Sequence, residues 1–270
     1  MTPIRSSLPA MIALASLVMF GTASASVQLP PSMIKSKTLR ICSAINLPPM
    51  EFMSPETRPE GVDIDLANAI ASRLGVKTRF INMPFAGLIP ALLADHCDVI
   101  MSQLFIKKSR LKVINEIPYM YSHESVLIKR GAPKVPDLLA LSGKKVATVT
   151  GTTATVLLGA ANKKLQAAQK PPIDLVLFPE NTQALQQLQF GQVAAYGVAY
   201  ETARYYIKHV PGQFAMGGPP YFKIATGIGL RKNETTLNHA ITAALATIRA
   251  NGDYRAIFKK WDLQRDMLLK

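Results

Sequence analysis

Two series of alternating strands and helices constrain the fold of this chain more than any other sequence feature. In the first series, apolar residues recur at helical spacing until Gly75, and strand-like stretches flank that helix. The predicted strands are 39–44, 78–82 and 98–102, and the predicted helices are 62–74 and 87–94. Strands that alternate with helices in this way are typical of a parallel sheet.

The same rhythm starts again in the middle of the chain. The predicted strands are 144–150, 174–178 and 194–199, with one helix after Gly151 and another at 182–190. The segments 121–140 and 217–220 separate the two series from each other and from a strand at 225–230 and helices at 234–250 and 254–261. A chain that leaves one lobe and later returns to it has two hinge strands and a cleft, which is a natural place for a ligand. We therefore predict one lobe from 26–126 and 223–270, and a second from 127–222.

The first 25 residues have the three regions of a secretory signal peptide. Arg5 precedes an apolar run from Leu8 to Phe20, and the small residues 23–25 follow. A run of about thirteen residues is shorter than the roughly 20 that span a membrane. We predict cleavage after Ala25 and a periplasmic protein.

Two cysteines, Cys42 and Cys97, would then lie in an oxidising compartment, where they can form a disulfide. Both also suit buried strand positions as free thiols. The sequence leaves the two alternatives open.

The chain is strongly basic, with a formal net charge of +14 and a pI of about 9.8. Its basic residues occur in twos and threes, without a long run or an aromatic-interleaved stripe, so we expect no nucleic-acid binding. The four histidines are His96, His123, His209 and His239. They show no metal-ligand spacing, and no nucleophile with a base or Walker loop is present. We therefore expect no metal, no cofactor and no catalytic residue.

Six motifs in a fixed order carry a resemblance to a known family. They are LRICSAINLPPMEF (39–52), GVDIDLANAIASRLG (61–75), FAGLIPALLADHCDVIMS (85–102), LSGKKVATVTGTT (141–153), ALQQLQFGQVAA (184–195) and NGDYRAIFKKW (251–261). With this order and spacing, the chain resembles the periplasmic solute-binding proteins of polar amino acid ABC transporters, the bacterial extracellular solute-binding protein family 3. The resemblance implies an α/β, bilobal, periplasmic-binding-protein-like fold of type II. Its two lobes, each with a parallel-containing sheet, would be joined by a two-strand hinge and close around one solute.

The resemblance also implies a ligand site. Arg110 in FIKKSR looks like the arginine that binds the ligand carboxylate, and a guanidinium matches two carboxylate oxygens geometrically. Thr152 and Thr153 follow a strand and open a helix, so their hydroxyl and N–H groups form an anion-receptive terminus in the opposite lobe. The remaining pocket positions are Leu47, Phe85, Ser102, Gln103 and Phe105.

Three positions depart from the family pattern. Members that bind amino acids usually have an aspartate for the ligand ammonium where this chain has Ala199, a second acid at Ala44 and an aromatic residue at Leu47. A buried ammonium without a carboxylate costs several kcal/mol. Either Glu201 or Glu124 replaces the aspartate, or the ligand lacks an α-ammonium.

The sequence predicts a non-enzymatic substrate-binding protein of an ABC importer, which captures an amino acid or related small carboxylate by lobe closure. We expect a monomer whose partner is a permease in the inner membrane. One alternative is a periplasmic dehydratase of cyclohexadienyl type, for which Glu124 or Glu201 would supply the acid. The other is an accessory protein of the same fold that docks on a membrane sensor.

Overall fold

The computed structural model describes residues 28–268, so the predicted signal peptide lies outside the described residues. This range contains eleven strands and nine α-helices, numbered in chain order. The strands are β1 (Thr38–Ser43), β2 (Phe52–Met53), β3 (Pro59–Glu60), β4 (Lys77–Asn82), β5 (Val99–Ile100), β6 (Ile114–Lys129), β7 (Lys145–Val149), β8 (Asp174–Phe178), β9 (Ala195–Ala199), β10 (Phe214–Met216) and β11 (Tyr221–Arg231). The helices are α1 (Pro31–Ser36), α2 (Val62–Leu74), α3 (Leu88–Leu93), α4 (Lys108–Leu111), α5 (Thr153–Ala167), α6 (Asn181–Gln189), α7 (Tyr200–His209), α8 (Thr235–Ala250) and α9 (Asp253–Lys260). None of these helices is both long and apolar enough to cross a bilayer.

Nine of the strands form one hydrogen-bonded sheet in the order β4-β1-β5-β11-β6-β9-β7-β8, and β10 also pairs with β6. The strand β1 runs parallel to β4 and β5, and β7 runs parallel to β8 and β9. The two parallel series predicted from the sequence are therefore present. They are not separate sheets, however, because the antiparallel strands β6 and β11 connect them.

The strand β6 is 16 residues long and belongs to both lobes. Its first part pairs with β11, from Ile114 opposite Arg231 to Ser122 opposite Ile224. Its second part pairs with β9, beginning with Glu124 opposite Ala199. Since β11 also reaches across this junction, with Tyr221 opposite Glu124, two strands connect the lobes.

Each lobe has its own hydrophobic core. In the first lobe, α2, α8 and α9 cover one face of the sheet, and the apolar residues that predicted α2 are all buried. Fully burying one leucine or isoleucine side chain stabilises a fold by about 1.5–3 kcal/mol. The second lobe packs α5, α6 and α7 on its sheet, with buried residues such as Leu158, Leu188 and Tyr196.

Gly61 fixes the start of α2 against the loop that follows β1. Its φ angle is +128°, and a Cβ atom there would lie 2.1 Å from the carbonyl oxygen of Met50, so only glycine fits. The close approach lets the N–H of Asp63 donate to that same oxygen at 2.9 Å. It also places Asp63 beside Glu51, which matters for the cleft described below. The helix predicted over 62–74 is confirmed.

Cys42 and Cys97 are joined by a disulfide, which settles the alternative left open by the sequence. Their Cα atoms are 5.7 Å apart across 55 residues of sequence. Both residues are fully buried in a small core cluster with Leu88 and Ile100. The bond therefore ties β1 to the segment just before β5, inside the first lobe.

Candidate ligand-binding cleft

A cavity lies between the lobes, beyond the ends of several strands. Its lining residues are Ala44, Leu47, Glu51, Phe85, Gln103, Phe105, Arg110, Glu124, Val149, Thr152, Thr153, Ala154, Asn181, Gly197, Val198 and Ala199. Leu47, Gln103, Thr152 and Asn181 each follow the carboxyl end of a parallel strand in their own lobe. This is the position at which ligands bind in open α/β sheets.

Arg110 projects into this cavity from the short helix α4 and is 7% exposed. Its Nη1 donates to the carbonyl oxygen of Phe105 at 2.8 Å, and its Nη2 donates to that of Gly151, in the opposite lobe, at 3.3 Å. The guanidinium carbon also lies 5.3 Å from the centre of the Phe85 ring. The fork is therefore held in place by carbonyls and an aromatic face.

No carboxylate of residues 28–268 forms an ion pair with Arg110. Burial lowers the pKa of Arg110 to about 10, because desolvation disfavours its positive charge. Neutral carbonyls compensate a buried guanidinium less well than an anion does. The site therefore favours an anionic ligand group.

The amino terminus of α5 faces the cavity from the second lobe. Thr152 caps this helix, and its Oγ1 accepts the N–H of Thr155 at 3.4 Å. The Oγ1 of Thr153 is buried and has no hydrogen-bond partner among the described residues. Gly151, with φ at +82°, lets the chain turn into the helix next to Ala86 of the other lobe. A helix amino terminus with free donors is an anion-receptive site.

Glu124 is the acid that the fold brings into the cavity. It is 3% exposed, its Oε2 has no hydrogen-bond partner within residues 28–268, and it lies directly opposite Ala199 in the β6–β9 ladder. Burial, and then the negative charge of Glu201, raise the pKa of Glu124 to about 8, although Lys107 and Arg110 oppose this. In the ligand-free protein near neutral pH, this carboxyl group is therefore mostly protonated.

A second acid, Glu51, lies on the cavity wall, held by a buried network. Its Oε1 accepts the hydroxyl of Ser102 at 2.8 Å, and burial together with the charge of Asp63 raises its pKa well above the usual range. Asp63 accepts the hydroxyl of Tyr119 at 2.6 Å and the N–H of Gln103 at 2.8 Å, while burial raises its pKa to about 6. Glu51 thus lies on the cavity wall with one oxygen, Oε2, that has no hydrogen-bond partner among residues 28–268.

Gln103 connects the lobes at the floor of the cleft. Its backbone has φ at +38°, in the left-handed region that non-glycine residues rarely occupy, and its N–H bond to Asp63 holds it there. Its Nε2 donates to Ser122 at 3.1 Å and to Glu201 of the second lobe at 2.9 Å. The lobes are therefore in contact in this structure.

Seven of the eight predicted ligand residues line the cavity. They are Leu47, Phe85, Gln103, Phe105, Arg110, Thr152 and Thr153. Ser102 does not line it, because its hydroxyl is fully buried between Glu51 and the N–H of Ala44. Sequence reasoning missed Asn181, whose position after β8 was the available signal. It also missed Glu51, although Glu51 lies inside the first family motif.

Comparison with known proteins identifies the family. A model of the bacterial extracellular solute-binding proteins, family 3, matches residues 39–264. The chain belongs to this family. The resemblance inferred from the six motifs is confirmed, and so is the bilobal α/β fold with a two-strand hinge.

This solute-binding protein is similar to proteins with named ligands. The lysine/arginine/ornithine-binding periplasmic protein of Escherichia coli (strain K12) is 30% identical over 258 residues, 93% of this chain and 95% of the relative. The structure of an ancestral arginine-binding protein bound to glutamine has a TM-score of 0.77 and 31% identity, covering 84% of this chain and 98% of that one. An ancestral amino acid-binding protein described as a precursor of cyclohexadienyl dehydratase has a TM-score of 0.77 and 27% identity, covering 85% and 97%.

Replacing Glu124 by glutamine should stabilise the ligand-free protein, increasingly so at higher pH. The unfolded carboxyl has a pKa of ~4.3, whereas that of the folded one is about 8. Between these values the unfolded state binds fewer protons, so the free energy of unfolding of the parent falls as pH rises. Glutamine does not titrate. Thermal unfolding near pH 5 and near pH 8 measures the difference, at roughly 2–4 °C for each kcal/mol.

The exposed Glu56→Gln variant is the control, and it should follow the parent at both pH values. A difference between Glu124→Gln and the parent that is the same at both pH values would contradict the proton held by Glu124.

Proposed function

We propose that this chain is the periplasmic ligand-capture component of an ABC importer and that it closes on an amino acid. The family match and the amino acid-binding relatives support this proposal. Lobe closure would be a population shift, set by the extra affinity of the ligand for the closed state. The ligand supplies that affinity by contacting both lobes at once.

The observation that carries the proposal is the buried, unpaired guanidinium of Arg110. A ligand carboxylate beside it would accept two charge-assisted hydrogen bonds, each roughly twice as strong as a neutral one. The Thr153 hydroxyl and the first N–H groups of α5 reach the same space from the other lobe. One carboxylate between Arg110 and this helix terminus would therefore hold the lobes together.

Glu124 is the partner we propose for the ligand ammonium. Residues directly opposite in an antiparallel ladder have Cβ atoms about 4.5–5.5 Å apart. The side chain of Glu124 therefore lies next to the space beside Ala199. An ammonium there would pair with Oε2, which has no other partner in residues 28–268, and would displace the proton of Glu124. Glu201 is less suited, because both of its oxygens already accept hydrogen bonds, from His123 and Gln103.

The remaining walls suit an uncharged ligand side chain. Leu47, Phe85 and Phe105 provide apolar surface. We therefore infer that the ligand tail is less polar than the cationic side chains of lysine and arginine.

A dehydratase activity is the second candidate, because a buried carboxylic acid that holds its proton is what an acid-catalysed loss of water requires. Glu124 has these properties, and one structural neighbour is described as a precursor of such an enzyme. We favour binding without catalysis. Turnover of a cyclohexadienyl acid, followed by aromatic absorbance and abolished in Glu124→Gln, would overturn that choice.

Several further properties complete the proposal. The protein would be exported, cleaved after Ala25, act as a monomer and deliver its ligand to an inner-membrane permease. We place the lobe boundaries between residues 126 and 127 and between residues 222 and 223, which are positions inside β6 and β11. Closure would then change the surface that both lobes present to the permease.

Arg110→Ala should abolish ligand stabilisation without unfolding the protein. A ligand at about 100 times its dissociation constant adds ~2.7 kcal/mol to the free energy of unfolding, which raises the melting temperature by about 5–10 °C. We expect a thermal-shift screen of L-amino acids to show such a shift for the parent and to show none, at the same concentration, for Arg110→Ala. Lys108→Ala, an exposed change on the same helix, is the control and should behave like the parent. An unchanged shift in Arg110→Ala would contradict the carboxylate site.

Glu124→Gln should remove the preference for an ammonium group. The comparison uses the best amino acid from the screen and the carboxylic acid of the same skeleton without its amino group. We expect calorimetry to show the variant binding the amino acid about 10–100-fold more weakly (~1.4–2.7 kcal/mol), with little change for the desamino acid. Parent affinity for the amino acid should also rise with pH towards about 8, because Glu124 must lose its proton, and this dependence should vanish in the variant.

The two parts of the proposal fail differently in this experiment. If the parent binds no amino acid, the proposed function is wrong. If the parent prefers the amino acid and Glu124→Gln retains the same preference, only the role of Glu124 is wrong.

A further inference from the structure

A histidine and two acids from distant parts of the chain meet beside the hinge, outside the ligand cavity. His123 lies in β6, Glu201 in the first turn of α7, and Asp266 in a short 3-10 turn after α9. One side-chain ligand atom from each lies within 4.8 Å of the other two. No local spacing in the sequence predicts this cluster, because the fold alone brings the three segments together.

Each of the three side chains has a nitrogen or oxygen atom that can still coordinate an ion. The Nδ1 atom of His123 is buried and has no hydrogen-bond partner among the described residues, and it lies 3.9 Å from Oε1 of Glu201. The Asp266 side chain forms no hydrogen bond within residues 28–268, although the residue is only 5% exposed. Glu201 is 1% exposed and accepts one N–H at each oxygen, which leaves further lone pairs on both.

Two buried carboxylates lie side by side in this cluster, and burial together with the charge of Glu201 raises the pKa of Asp266 to about 7. Neither Asp266 nor Glu201 forms an ion pair with any lysine or arginine in the described residues. His123 lies 3.9 Å from Glu201, and the positive charges of Arg204 and Arg265 act on Asp266 from a longer range. Burying uncompensated charge is costly, and a bound metal ion is one of the few ways to offset it.

We propose that His123, Glu201 and Asp266 bind a divalent transition-metal ion, for which Zn²⁺ is the probe. One imidazole nitrogen and two carboxylates form a ligand set that Zn²⁺ accepts at about 2.0–2.2 Å, with water in the remaining position. Ligand atoms around a tetrahedral zinc lie about 3.4 Å from one another. The present separations of 3.9 Å and up to 4.8 Å therefore require that the side chains move closer by about 0.5–1.4 Å.

The site is open to solvent on one side. The side chain of His123 is 28% exposed, and Glu201 also lines a surface groove together with Arg204 and Trp261. An ion can therefore reach the cluster without passing through the ligand cavity.

A metal ion at this position would connect the hinge strand, the second lobe and the carboxyl-terminal segment. Glu201 also accepts the hydrogen bond from Gln103 on the cleft floor, so this one hydrogen bond connects the proposed metal site to the ligand cavity. If the ion stabilises the contact between the lobes, ligand binding must raise metal affinity by the same factor that metal binding raises ligand affinity. The ion would then regulate closure.

The test is a calorimetric titration of the chelator-treated protein with Zn²⁺. We expect one ion per chain, and at least tenfold weaker binding in both His123→Ala and Asp266→Asn. Asp266→Asn keeps the shape of the side chain, so it tests the proposal even if His123→Ala fails to fold. His239→Ala is the matched control, because His239 is exposed on α8, and its Zn²⁺ binding should equal that of the parent.

Two outcomes would overturn the proposal. If the parent binds no stoichiometric Zn²⁺, the cluster is not a metal site. If it binds one ion and both His123→Ala and Asp266→Asn bind it as tightly, the ion occupies another site.

Discussion

The long strand β6 is the element on which the rest of this structure depends. Because it pairs with β11 in one lobe and with β9 in the other, both lobes share one continuous run of backbone hydrogen bonds. Ser122, His123 and Glu124 occupy the junction. Ser122 accepts a hydrogen bond from Gln103 on the cleft floor, the N–H of His123 donates to Glu201 of the second lobe, and Glu124 lines the cleft. A strand held by pairing on both sides positions these side chains more firmly than a loop would.

Charged groups in the cleft are buried at a cost to the ligand-free protein. Arg110 has carbonyl partners in place of an anion, and Glu124 keeps a proton that it would lose in water. In the proposed complex, a ligand carboxylate would pair with Arg110 and a ligand ammonium group would pair with Glu124, which would remove both unfavourable contributions. The proposed function therefore rests on two buried groups of the cleft, Arg110 and Glu124, each of which lacks a partner of opposite charge among residues 28–268.

The sequence predicted much of this fold because its signals are local. The apolar period of α2 ends at Gly75, and β8 runs from Asp174 to Phe178 as predicted. The start of β6 was missed, since Glu116 and Pro118 interrupt the apolar pattern, and only pairing with β11 makes that segment a strand. The helix α7 was not predicted, and β5 is shorter than the predicted strand 98–102.

The candidate site shows the same division between local and long-range information. Family motifs located Arg110 and the α5 terminus, since each lies within a short stretch of characteristic sequence. Glu124 lies opposite Ala199 because two strands that are far apart in the sequence pair with each other, so no local pattern reveals this register. The loss of an aspartate at Ala199 was visible in the sequence, which offered Glu124 and Glu201 as replacements, and the pairing of β6 with β9 favours Glu124.

A crystal structure of the protein with its best-binding amino acid would test the central claim most directly. The account predicts the ligand carboxylate within hydrogen-bond distance of both the Arg110 guanidinium and the N–H groups at the start of α5, with the ligand nitrogen on Oε2 of Glu124. A ligand bound elsewhere, or one that leaves Arg110 on the carbonyls of Phe105 and Gly151 and Glu124 without a partner, would contradict it.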